Sequence, residues 1–178
     1  MTSTGPLLFV DESKQRAYLM AAGMIAPREA EAARRALRRL LMPGQTSVHF
    51  RSESERRRKQ ILDVIASQGW SAHIVVSRAK NHREARDACL QALVALASSI
   101  DAPQLVIETD DSLVSHDRKL LFSARRRQEL AETFEYTHRR RREEPCLWVP
   151  DAIAWAYARG GPWRARIQPL VAAVTVVD

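Results

Sequence analysis

The sequence predicts a mixed α/β fold in which helices flank a mostly five-stranded sheet. Three observations carry this. Apolar runs of strand length recur along the chain, longer segments between them place apolar residues at helical spacing, and Pro, Gly and capping residues punctuate the joins. With 178 residues, 46% of them hydrophobic and 28% charged, the chain is most economically one domain over residues 1–178, with a substantial core.

Residues 7–11 read as a buried strand and residues 17–26 as its hairpin partner, joined by a polar, turn-sized segment. Gly23 inside the second strand marks a bulge or a close backbone approach. Pro27 opens and Pro43 with Gly44 closes a helix over residues 28–42, with Ala30, Ala33, Leu37, Leu40 and Leu41 as its apolar stripe. Ser52 with Glu55 fits a capping box for a helix over residues 52–68, stopped by Gly69. Residues 71–78 are β-branched and strand-like. Residues 81–100 form a helix that turns Ala85, Ala88, Cys89, Ala92, Leu93 and Leu96 inward. Residues 104–109 are a further buried strand, 115–131 a helix and 133–138 the final strand. A last helix runs to Arg159, with Gly160 and Gly161 as its stop. Proline suits the first turn of a helix, so Pro150 puts Asp151 there. A mixed segment over residues 163–170 and a valine-rich tail over 171–178 finish the chain.

The net charge of +7 points to a polyanionic partner, nucleic acid ahead of an anionic membrane surface. The competing reading is that the arginines are solvated helix faces. Cys89 and Cys146 form no CxxC and no disulfide framework, so a reducing cytoplasm is expected. The start of the chain lacks a basic region, and its apolar run stops at Asp11, too short for a signal peptide. No run approaches the ~20 apolar residues of a membrane span. There is no Gly-rich phosphate loop and no signature of a covalent nucleophile.

Against this basic background stand three acidic spots: Asp11 and Glu12 after the first strand, Glu108 with Asp110 and Asp111 after the strand at 104–109, and Asp151 at the last helix. Ligands of such sheets bind beyond the carboxyl ends of parallel strands. If the strands at 7–11 and 104–109 are parallel neighbours, their acids lie side by side, and alternation puts Glu108 and Asp110 on one face. Carboxylates gathered there repel unless a cation sits among them. A Mg2+ or Mn2+ pair would resolve this and could cleave a phosphodiester. Each acid also has a plainer reading: a turn at Asp11, a helix cap at Asp110, a dipole-favoured charge at Asp151. His49 is either a proton-transfer group or a structural histidine. Glu12 and Glu144 are possible auxiliary ligands, and Arg51, Arg139 and Arg140 are candidate phosphate contacts.

The stretches Phe9-Val10-Asp11-Glu12-Ser13, Val48-His49-Phe50 and Leu147-Trp148-Val149-Pro150-Asp151-Ala152 together resemble the domain-of-unknown-function family numbered 3800, over nearly the whole chain. That family is regarded as ribonuclease-H-like. The resemblance implies an antiparallel meander of the first three strands, a fourth strand parallel to the first, and a helical insertion over residues 28–68 between the second and third strands. It also implies metal ligands at Asp11, at Glu108 or Asp110, and at Asp151. Where the family usually has Gly after Asp-Glu-Ser, this chain has Lys14, whose charge would compete with a metal or meet a phosphate.

The expected function is therefore a Mg2+- or Mn2+-dependent nuclease acting on RNA or DNA. The alternatives are a nucleic-acid-binding or defence-associated module without catalysis, and a toxin–antitoxin component whose basic surface meets an acidic protein.

Overall fold

The computed structural model describes residues 4–130, Glu132 and residues 134–178. Thr133, the first residue of the predicted final strand, and Ala131, the last of the helix before it, lie outside the described residues. The strands are β1 (Leu7–Ser13), β2 (Tyr18–Ile25), β3 (Ser71–Ser77), β4 (Gln104–Glu108), β5 (Glu135–Arg139) and β6 (Val171–Val177). The helices are α1 (Ala30–Arg38), α2 (Glu55–Ser67), α3 (His82–Ser99), α4 (Val114–Arg127), α5 (Trp148–Arg159) and α6 (Gly161–Ile167).

They build one sheet in the order β5-β4-β1-β2-β3-β6. β1, β2 and β3 form an antiparallel meander, and β4 runs parallel to β1 with β5 parallel to β4. The sheet has six strands rather than five. The valine-rich tail is β6, parallel to β3, and His73 Nε2 meets Thr175 Oγ1 at 2.7 Å across the pair. β-branched residues suit such a strand, yet its partner lies far back along the chain, so local pattern does not reveal the pairing.

Both faces of the central strands are covered, which explains why they read as continuous apolar runs rather than alternating ones. Phe9, Leu19, Ala21 and Val106 face a layer containing Trp148, Ala152 and Ile153 of α5, with α1 and α2 beside it. Leu8, Val10, Met20 and Ile107 face the opposite layer, containing Cys89 and Leu93 of α3 and Leu121 of α4. Among the described residues, no helix is long and apolar enough to cross a membrane.

Two local differences from the sequence reading have clear causes. The cap of α2 is Ser54, which accepts from Arg57 N, rather than Ser52. Ser52 is held in a 3₁₀ turn whose first residue, Phe50, is fully buried and donates its N–H to Asp151. On α3 Ala85, Cys89 and Leu93 are buried as expected, while the face also takes in Arg86, Leu90, Val94 and Ala97, and Ala88, Ala92 and Leu96 lie half-buried at its edge. Arg86 is drawn inward by Asp117, a pull that apolar periodicity does not register.

Gly23 is a close approach. A Cβ there would lie 3.2 Å from Val149 Cγ1 and 3.5 Å from Pro150 Cδ. The glycine lets the first turn of α5, which carries Asp151, settle onto β2. Gly23→Val is expected to overpack this contact and cost about 1–3 kcal/mol, with a smaller loss for Gly23→Ala. Urea denaturation of the two variants checks the ordering.

Candidate active site

The parallel register pairs Val10 with Ile107, so the next residues, Asp11 and Glu108, stand side by side where the β1–β4 pairing ends, although β1 itself continues along β2 to Ser13. Parallel neighbours are roughly 4.8 Å apart. By alternation both side chains follow Phe9 and Val106 onto the α5 side of the sheet. α5 delivers the third acid. Pro150 lies in its first turn, as proline's missing N–H requires, and Asp151 follows in the same turn, 8% exposed. Asp151 Oδ2 accepts from Phe50 N at 2.9 Å, which ties the segment around His49 to the site.

Asp11 shows what this convergence does. Burial first, then the charges of Asp151 and Glu108, hold its carboxyl well above the usual range. The Glu12 N–H, donating to Asp11 Oδ1 at 2.7 Å, opposes this only in part. A carboxyl so placed keeps a proton or the company of a cation.

In this structure the cation is Arg141. Its Nε and Nη2 fork onto Glu108 at 2.6 and 2.7 Å. Nη1 donates to Asp151 Oδ2 at 3.2 Å, and Nη2 lies 3.8 Å from Asp11 Oδ2. Nη1 also contacts His49 Nδ1. A guanidinium can only donate, so His49 Nδ1 is the acceptor in this contact. His49 stands at the rim, half-exposed, with Nδ1 3.7 Å from Asp151.

The remaining candidates are placed elsewhere. β4 ends at Glu108, and Asp110 turns aside to accept from Ser112 N and Oγ at 3.1 and 2.6 Å, which lowers its pKa. This is a turn before α4 rather than the helix cap its Asp-Asp-Ser context suggested, since α4 is preceded by Leu113 with no side-chain cap, and Glu108 is the acid facing Asp11. Glu12 points to the opposite face, where it accepts from the Tyr18 hydroxyl and from Arg86 Nη1 at 2.7 Å and pairs with Lys14 at 2.6 Å. Glu144 binds Arg34 and caps the Cys146 N–H, so it serves the chain entering α5. Arg140 forks onto Asp111 at 2.9 Å on the outside, and Arg139 is exposed at the end of β5.

Behind Glu12 lies a buried charge network. Arg86 Nε and Nη2 fork onto Asp117, each at 2.8 Å, and His138 Nε2 meets Asp117 Oδ2 at 2.9 Å. Asp117 has no solvent exposure. Despite its desolvation, the hydrogen bonds from Arg86 and His138 bring its pKa down to about 2.

Three cavities surround the acids. One of about 430 Å³ is lined by Asp11, Glu108, Asp110, Arg86 and Arg141. One of about 330 Å³ lies between Ser47, Glu108 and Arg140 to Arg142. The largest, about 850 Å³, adjoins Asp151 and is lined by Lys14, His49, Arg51, Arg58, Trp155 and Arg159. Arg58 is fixed there, donating to the carbonyls of Phe50 and Arg51 with its guanidinium 4.4 Å from the Trp155 ring centre.

The acids offer only oxygen donors, the set that suits a hard divalent cation. Among the described residues no group of three or more His, Cys, Asp and Glu side chains is arranged to hold a metal ion as it stands, and Arg141 lies among the carboxylates. Arg141 and Arg86 are the residues that sequence reasoning missed. The four-arginine run beside an acidic cluster was the available signal for the first; for the second there was none.

Compared with known proteins, the chain matches no family model and no curated protein. Ribonuclease HII in its complex with PCNA from Archaeoglobus fulgidus has a similar structure, with a TM-score of 0.57 and 12% identity over 93% of this chain and 76% of that one. At this identity the likeness concerns architecture, and together with the mixed sheet flanked by helices it makes this chain ribonuclease-H-like in fold.

Proposed function

We propose that the protein is a divalent-metal-dependent nuclease that hydrolyses phosphodiester bonds of RNA or DNA. The observation that carries this reading is the meeting of Asp11, Glu108 and Asp151 where the pairing of β1 with β4 ends, in a chain of net charge +7. Asp11, Glu108 and Asp151 would hold the metal, Mg2+ or Mn2+. When bound, it supplies an activated water and polarises the phosphoryl oxygens. The chain's own residues do the rest. The Phe50 N–H orients Asp151, and His49 stands at the rim beside Asp151 as the proton-transfer group. Lys14, Arg51 and Arg159 line the large cavity beside Asp151 and supply the charge that tracks a phosphate backbone. The resemblance to the domain-of-unknown-function family numbered 3800 supports the same ligand set.

The test is incubation of the purified protein with labelled RNA and DNA, with Mn2+ and with a chelator. Cleavage that requires Mn2+ supports the reading, and no cleavage of either polymer contradicts it.

A second reading has its own observation. Arg141 already neutralises the acids, as it would in a module that binds nucleic acid without cutting it. Binding that is salt-sensitive but indifferent to Mn2+ and to Asp151→Asn would favour it.

A further inference from the structure

We infer that Arg141 is a built-in counter-ion of the carboxylate site, which a divalent cation must displace, and that a substrate phosphate assists by drawing its guanidinium away. The inference rests on the reading of Asp11, Glu108 and Asp151 as metal ligands and adds how that site is controlled.

Three features set Arg141 apart. Its guanidinium uses the oxygens that a metal would need: both oxygens of Glu108, Oδ2 of Asp151 and, at longer range, Oδ2 of Asp11. A hard divalent ion takes carboxylate oxygens at roughly 2.0–2.6 Å, so an ion bonded to all three acids must occupy the space where the guanidinium now bridges them. Its backbone is fixed independently of its head group. The buried Trp148 indole donates to the Arg141 carbonyl at 2.8 Å, so the backbone anchor does not depend on the guanidinium contacts. Finally, it has somewhere to go. The side chain is 23% exposed and borders the 330 Å³ cavity, where Arg140 and Arg142 supply further positive charge. A phosphate there gives the displaced guanidinium a bidentate partner.

The consequence is a coupling. Free protein is held mainly in the closed, Arg141-paired state, so its apparent metal affinity is lowered by the fraction that is open. A phosphate that stabilises the open state raises metal affinity, and metal raises phosphate-backbone affinity by the same factor. The site would load its metal together with its substrate.

Titration calorimetry of Mn2+ into the nucleic-acid-free protein tests this without any activity measurement. Arg141→Gln is expected to bind Mn2+ at least about tenfold more tightly than wild type, with Arg141→Lys between them, because lysine keeps the charge and loses the fork. In wild type, the Arg141 Nε–H resonance, held by Glu108, is expected to shift and to exchange faster with solvent as Mg2+ is added. This second readout needs no variant to fold. Equal or weaker Mn2+ binding by Arg141→Gln, or an Arg141 resonance unmoved at Mg2+ saturation, overturns the counter-ion role while leaving the metal site standing. Absence of Mn2+ binding by wild type and both variants overturns the metal-site reading, and this inference with it.

Discussion

Asp11→Asn is expected to lower metal-dependent cleavage by more than about 100-fold while leaving the protein as stable as wild type, or more so. Even outer partners of metal ligands are worth 10–100-fold, so a ligand removed outright should exceed that range. The stability half follows from the sign of the pKa shift. Burial and the neighbouring Asp151 and Glu108 raise the folded-state pKa of Asp11. The folded protein therefore binds that proton more tightly than the unfolded chain does. Carrying the charge weakens the fold as pH rises through the folded pKa. Asparagine keeps the shape and removes the charge. Arg141 keeps its close contacts with Glu108 and Asp151, and loses only its longest, at 3.8 Å. Cleavage assays and thermal melts at neutral pH, without metal, check the two halves together. A variant that cuts normally, or one that loses activity by unfolding, contradicts the role assigned to Asp11.

Asp117→Ala is expected to be the opposite kind of change, one that damages the fold rather than the chemistry. It strips the fork from Arg86, 3% exposed, and the acceptor from His138. Breaking a buried pair in this way costs about 3–5 kcal/mol, and the lower end is expected here because Arg86 keeps its bond to Glu12. Urea denaturation measures it, and a loss under about 1 kcal/mol would show that the network is not structural. The same acid predicts a pH limb. Its folded-state pKa of about 2 lies below the ordinary 3.8, so its stabilisation is complete above pH 3.8 and fades as pH falls towards 2. The amount is about 2 kcal/mol. Asp117→Asn should lack that limb.

The residues that made the fold legible were those whose local rules agree with their surroundings. The apolar runs at β1 and β4, with an acid following each, locate both strands and the end where a site forms, because parallel pairing brings their carboxyl ends together. Pro150 fixed the phase of α5 and hence the place of Asp151. What stayed hidden depended on partners remote in sequence. The pairing of β6 with β3 spans most of the chain, and valines alone do not name a partner. The inward turn of Arg86 on α3 is set by Asp117 on α4. Arg141 sits among neighbours of its own kind, and of the arginines at 139–142 it is the one anchored by Trp148 and aimed at the three acids. The choice between Glu108 and Asp110 turned on where β4 stops. Ser112 holds the Asp110 carboxylate in the loop, which leaves Glu108 as the acid facing Asp11.

The central claim is that three acids from β1, β4 and α5 form one cation site. An anomalous-scattering map of crystals soaked in MnCl2 with a short oligonucleotide tests it most directly. The account predicts a Mn2+ peak bonded to Asp11, Glu108 and Asp151, with the Arg141 guanidinium moved onto a phosphate. A map with no peak among those carboxylates at saturating Mn2+, and Arg141 still seated on Glu108, would contradict it.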